Sequence, residues 1–218
     1  IGNEVDYPHD PYSHPIAGEQ YDPSRPHANE LAGIAKKLVS AVKAIDTTRP
    51  VTAALAHVPS SNLTGYADAL DVVGYNYQEH LYSDDHQHYP QRVIYGSENG
   101  KKHDAWLAVA DNEYICGQFL WTGIDFLGEA RPWPQRNSQA GILDLAGFKK
   151  PLFYLIQSRW SDTPMVYFFI PGVTAILPAR MMDEMPDVPT VFCFSNCESV
   201  ELWLNDHSLR ELRMTDIP

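Results

Sequence analysis

A chain of 218 residues has room for one good-sized domain, or for one domain and part of a second, and its 44% apolar content is enough for a packed core. Lys and Arg number 16 against 28 Asp and Glu, a formal net charge of -12, so a phosphate backbone would be repelled over most of the surface and nucleic acid is excluded as a natural partner. The three cysteines, Cys116, Cys193 and Cys197, have no CxxC spacing and suggest neither a zinc site nor a disulfide framework, and no apolar run reaches the roughly 18 residues of a membrane span.

The chain opens on Ile1-Gly2-Asn3-Glu4, without Met and at what reads as a strand end, so the native N-terminus and any targeting signal are expected to lie upstream. From Ala28 to Ile45, the residues Leu31, Ile34, Ala35, Leu38, Val39, Val42 and Ile45 recur at steps of three and four, one face of a helix. It should stop before Pro50, because proline biases the preceding residue out of helical geometry. Four short apolar runs follow, each fit for a strand buried on both faces: Val51–Ala56, Asp71–Tyr77, Arg92–Glu98 and Ile115–Trp121. Helices are expected between and after them, over Leu63–Leu70, about His103–Asp111, and Pro151–Trp160.

Strands alternating with helices imply a parallel sheet of βαβ units, either doubly wound or a (β/α)8 barrel. No glycine-rich phosphate loop follows any strand, which removes the usual mark of a nucleotide-binding open sheet. Polar or aromatic residues instead recur at strand ends: Glu4, Asn76 with Tyr77, Glu98, and Trp121. In a barrel those ends converge on one mouth. Beyond Ser161 the pattern changes. Pro164–Pro171, Thr190–Phe194 and Ser199–Leu204 read as strands with turns at Pro171-Gly172, Ser195-Asn196 and Asn205-Asp206. These are too few to close two sheets, so the chain is expected to continue past Pro218.

Glu4 and Glu98 stand at strand ends beside small or polar residues, and glycoside cleavage with retention needs two carboxyls about 5 to 5.5 Å apart. A glutamate at a strand end is ordinarily a solvated loop residue or a capping group, and composition and periodicity do not decide between the two. The loops with His9, Asp10 and His14, and with Asp84, Asp85, His86 and His88, have neither an HExxH nor a facial-triad pattern, and histidines in loops are mostly solvated.

Several strings taken together do decide. Ile1-Gly2-Asn3-Glu4, EVDYPHDPYSHP from Glu4, DVVGYNYQ, VIYGSE, FLWTGIDFLGE and GILDLAGFKKPLFYLIQSRW stand in the order of the motifs of glycoside hydrolase family 2, which this chain resembles over nearly its whole length. VFCFSNCESVELWLNDHSL resembles the immunoglobulin-like domain that follows the barrel in this family's β-galactosidases. The resemblance implies strands 4 to 8 of a (β/α)8 TIM barrel over residues 1–160, then the beginning of an all-β immunoglobulin-like sandwich over 161–218. The remaining barrel and sandwich segments of the same protein become its expected partners. It also implies a retaining β-glycoside hydrolase with Glu4 as general acid/base, Glu98 as nucleophile, Asn3 bonding the sugar 2-hydroxyl, Tyr77 touching the nucleophile and Trp121 flooring the sugar subsite. Tyr82, Asp125 and Glu129 are further substrate-binding candidates on neighbouring loops, and the peptide after Trp121 is expected to be cis.

A β-linked carbohydrate is the implied substrate, with no cofactor and no metal among the site residues. For the chemistry, one carboxyl must be ionised while the other holds a proton, a separation that burial or mutual proximity can supply. Arg136-Asn137-Ser138-Gln139-Ala140-Gly141 lacks the Asn-x-Lys of the family's glucuronidases, and EVDYP with DLAGF points to β-galactosidase. Lys101 stands where the best-known β-galactosidases have histidine. Another exo-β-glycosidase of the family, a catalytically silent carbohydrate-binding or scaffold relative, and a metal-dependent hydrolase are the alternatives. The resemblance favours a periplasmic or secreted setting over a cytoplasmic one.

Overall fold

Apolar side chains at helical spacing produce α1 (Asn29–Lys43), which buries Leu31 and Ala35 and leaves Ile34, Leu38 and Val42 more exposed. The expected last turn is absent: Ile45 is 93% exposed and contributes nothing to packing. The computed structural model describes residues 1–6, 22–130, 132–171 and 190–216, and the chain divides into two units, 1–121 and 122–218.

In the first unit, β1 (Thr52–Leu55), β2 (Val72–Asn76), β3 (Ile94–Asn99) and β4 (Ile115–Leu120) form one parallel sheet in the order β1-β2-β3-β4. The segment before them lies along the outer side of β1: Asn3 bridges Ala54 in parallel, Glu4 N–H donates to Ala54 O at 2.9 Å and Ala54 N–H to Gly2 O at 2.9 Å. Each strand therefore neighbours its predecessor in sequence, with no reversal of order. β2 is buried from Val73 to Asn76, as a parallel strand covered on both faces should be. Leu31, Ala35, Leu55, Val58, Tyr66, Val73, Tyr75, Tyr82, Ile94 and Ile115 are among the residues of the core.

Two connections differ from expectation. The helix expected over Leu63–Leu70 is instead α2 (Val58–Thr64) followed by a single 3-10 turn, Ala67–Ala69. Gly65, with φ 74°, ends α2 in the left-handed region that a side chain resists, and His57 caps its start with Pro59 in the first turn. Between β2 and β3, the segment read as a histidine loop is α3 (Tyr82–His88). There Asp85 is buried, accepting bonds from Tyr75 Oη at 2.8 Å and Asn62 Nδ2 at 3.2 Å, with Arg92 Nη1 3.8 Å away. His9, Asp10 and His14 lie outside the described residues. The helix α4 (His103–Ala110) precedes β4 as expected.

In the second unit, β5 (Phe126–Leu127) pairs with β6 (Asn137–Ser138), and α5 (Pro151–Trp160) begins with proline, whose missing N–H costs nothing there. β7 (Val166–Phe169) and β8 (Phe192–Ser195) run antiparallel. Tyr154 of α5 stacks on Tyr167 of β7 at 3.7 Å, so packing crosses residue 161. β9 (Ser199–Leu204) and β10 (His207–Arg213), the latter not anticipated, form a hairpin on Asn205-Asp206, whose φ angles of 47° and 66° suit a two-residue turn.

One carboxylate fastens the opening segment to the sheet. Asp6, 4% exposed, accepts from Ala56 N–H at 2.9 Å, His57 N–H at 3.0 Å and Ser61 Oγ at 2.7 Å, joining the turn after Glu4 to the β1–α2 junction. Asp6→Ala would remove the acceptor of all three of these donors. The expected cost is about 2–4 kcal/mol, read as a lower urea midpoint at unchanged m-value; an unchanged midpoint would show that the clamp adds nothing.

Candidate active site

Because the strands are parallel, Asn3 and Glu4, Asn76 and Tyr77, Glu98, and Trp121 all stand at the C-terminal ends of neighbouring strand segments. Glu4 and Tyr77 each have φ 54°, a left-handed conformation unusual for residues with side chains, which persists only where the surroundings enforce it. Tyr77 N–H donates to Glu98 O at 2.8 Å and so holds its strand end against β3.

At the centre is the amide of Asn76, 2% exposed. Its Nδ2 donates to Asn3 Oδ1 at 3.2 Å and to Glu4 Oε1 at 3.2 Å, while its Oδ1 accepts from Ser97 Oγ at 2.6 Å. With Asn3 Oδ1 so occupied, the NH2 end of Asn3 is the end able to meet another acceptor. Tyr77 completes the group. Burial pushes its hydroxyl well above the usual tyrosine range, and next come the charge of Glu98, the hydrogen bond to Glu98 and the charges of Glu4 and Glu79. One phenol thus feels both candidate acids, Glu4 from the segment beside β1 and Glu98 from β3. The arrangement supplies two half-buried carboxyls and a hydroxyl donor fixed on one of them.

Tyr82 is not on this surface. It is 1% exposed, and its hydroxyl donates to Asn99 Oδ1 at 2.8 Å, with Asn99 in turn bonded to Gln118 Oε1 at 2.9 Å and Ala105 O at 3.2 Å. Its place is the core beneath β3, where Gly96 is needed because a Cβ there would lie 2.0 Å from Asn99 Oδ1. Trp121, 37% exposed, directly follows β4, whose Leu120 is opposite Asn99. Asp125 and Glu129 belong to the second unit. Asp125 is 7% exposed and held by Lys150 Nζ at 2.7 Å and Gly141 N–H at 2.8 Å, which makes it a buried ion pair, whereas Glu129 is exposed with φ 43°. The cis peptide among the described residues is Trp133–Pro134, so the bond after Trp121 does not meet the expectation.

Sequence reading missed three contributors. Asp6 and Ser97 lie inside strings quoted for their glutamates, and their roles depend on contacts across the sheet that no local pattern reveals. Glu79 accepts from Gly100 N–H at 2.5 Å, tying the turn after Tyr77 to the turn after Glu98.

No family model matches the sequence. The β-galactosidase BoGH2A of Bacteroides ovatus is 31% identical across 80% of this chain, which covers 25% of that protein. A putative β-glucuronidase of Formosa agariphila is 36% identical over 48% of the chain and 10% of its own length. Among solved structures, a glycosyl hydrolase family 2 member from Bacteroides cellulosilyticus superposes with a TM-score of 0.71 at 31% identity, over 85% of this chain and 28% of that one. The β-glucuronidase of Bacteroides uniformis, TM-score 0.68 at 20% identity over 91% of this chain and 28% of its own, shares the fold. The chain thus spans about a quarter of the length of BoGH2A and of the Bacteroides cellulosilyticus protein. A match this long in both sequence and coordinates is that of a homologue: the chain belongs to glycoside hydrolase family 2.

Proposed function

We propose that the protein containing this chain is a retaining β-glycoside hydrolase acting on β-galactosides, with Glu98 as nucleophile and Glu4 as general acid/base. The observation that supports this reading is the end of β2, where Asn76 Nδ2 donates to Glu4 Oε1 at 3.2 Å and the next residue, Tyr77, donates its N–H to Glu98 O at 2.8 Å, so that one strand end touches both glutamates. In the first half-reaction a Glu98 oxygen bonds to the anomeric carbon while Glu4 passes its proton to the departing glycosidic oxygen. In the second, Glu4 takes a proton from water, whose oxygen displaces Glu98 from the same carbon. Asn3 is assigned to the sugar 2-hydroxyl and Trp121 to the floor of the subsite.

The sequential parallel order, without the reversal of a doubly wound sheet, supports residues 1–160 as the strand 4 to 8 portion of a TIM barrel. Residues 161–218 are assigned to the start of an immunoglobulin-like sandwich, in keeping with the antiparallel pairs β7–β8 and β9–β10. The choice of galactoside rests on the likeness to BoGH2A and on the missing Asn-x-Lys signature.

Hydrolysis of a chromogenic β-galactoside by the natural full-length protein should exceed that of the matching β-glucuronide, and Glu98→Gln should lower it by at least about 10³-fold. A 2-deoxy-2-fluoro galactoside should leave its sugar on the peptide containing Glu98; activity surviving the substitution, or label elsewhere, refutes the nucleophile. Tyr77→Phe should reduce kcat roughly 10- to 100-fold, the loss of one preorganised donor. Since the surroundings of Tyr77 disfavour phenolate, the wild-type hydroxyl stays protonated as pH rises through the ordinary tyrosine range, so the alkaline limb of the rate profile should keep its position in Tyr77→Phe. A displaced limb would assign that ionisation to Tyr77.

A further inference from the structure

We infer that Ser97 and Asn76 form a positioning relay that orients the carboxyl of Glu4 from the strand carrying Glu98; the inference rests on the acid/base reading of Glu4. The relay is built by an irregularity in β3. Tyr75 pairs with Gly96, but the next residue of β2, Asn76, pairs with Glu98, so Ser97 is the extra residue of a β-bulge. The pairing of β3 with β4 shifts over the same span, between Gly96 and Asn99. A bulge re-aims side chains, and this one turns the Ser97 hydroxyl onto Asn76 Oδ1 at 2.6 Å while Glu98 remains at the strand end.

Space for the hydroxyl comes from the neighbouring strand. A Cβ on Gly74 would sit 2.6 Å from Ser97 Oγ and 2.7 Å from Ala53 O, so β2 carries glycine where the serine passes. The amide that receives the bond is engaged at both ends: its oxygen accepts from Ser97, and its nitrogen donates to Asn3 Oδ1 and Glu4 Oε1. An ionised carboxylate can only accept, and the Ser97 hydroxyl has a proton to give, so the amide has one satisfactory orientation. Its N–H engages Glu4 Oε1 in either protonation state of Glu4. With Oε1 held by the amide, the relay restrains the plane of the Glu4 carboxyl and leaves Oε2 as the oxygen it assigns to face the leaving group.

The experiment uses two aryl β-galactosides, one with a poor leaving group that needs protonation and one dinitrophenyl glycoside that does not. kcat/KM, which reports the bond-breaking half-reaction, is measured for the natural full-length protein and for Glu4→Gln, Asn76→Ala and Ser97→Ala. The relay predicts that Asn76→Ala loses about 10-fold or more on the poor leaving group and much less on the activated one, with Ser97→Ala following the same pattern more weakly. Glu4→Gln should show the same selectivity in its strongest form. Selectivity in Glu4→Gln with equal losses on both substrates, or no loss, in Asn76→Ala and Ser97→Ala overturns the relay alone. Absence of selectivity in Glu4→Gln overturns the acid/base reading beneath it. Should Asn76→Ala fail to fold, the Ser97→Ala comparison decides.

Discussion

A single primary amide, that of Asn76, joins strand ends that are distant in the chain. It lies out of water, so each of its three polar positions has to be matched by a protein group, and losing one match costs about 1–3 kcal/mol. The matches come from the segment along β1, through Asn3 and Glu4, and from β3, through Ser97. A one-residue slip of any of these strands would carry its side chain to the other face and leave the amide unmatched. The register of the sheet and the meeting of the two acids are therefore one constraint.

Backbone geometry pays that constraint locally and the neighbouring contacts hold it. Glu4 and Tyr77 both sit at φ 54°, and Ser97 sits in a bulge, three departures from regular structure within one cluster. The two left-handed residues cost of order 1–3 kcal/mol each and survive where the surroundings over-determine them. Asp6 supplies part of that surrounding by locking the turn after Glu4 to the β1–α2 junction, and Glu79 supplies another part by holding Gly100. Partial burial first, and then the charge of Glu98 and its hydrogen bond, keep the Tyr77 phenol protonated and able to donate.

The strands were legible because parallel strands are short apolar runs with polar ends, and β1 to β4 lie within two residues of where those runs suggested, although β4, expected to be buried on both faces, leaves Cys116 and Phe119 exposed. Glu4, Glu98, Asn3, Tyr77 and Trp121 were marked by strings resembling a known family, and the structure puts them at one set of strand ends. Local chemistry explains what was misread. Gly65 broke an expected helix because its left-handed turn outweighs the apolar spacing beyond it, and a histidine-rich segment became α3 because Asp85 finds buried partners in Tyr75 and Asn62. Tyr82 and Asp125 carry groups suited to a sugar, yet Asn99 and Lys150 claim them, which only the folded chain can show. The bulge at Ser97 was invisible for the same reason: register exists between strands, not within one.

The central claim is that Glu4 and Glu98 act on opposite sides of one sugar carbon in two successive displacements. Proton NMR of the sugar first released from an aryl β-galactoside by the natural full-length protein, recorded before the anomers equilibrate, tests it most directly. Two inversions at that carbon predict the β anomer as the initial product; the α anomer appearing first would mean a single displacement by water and would contradict the account.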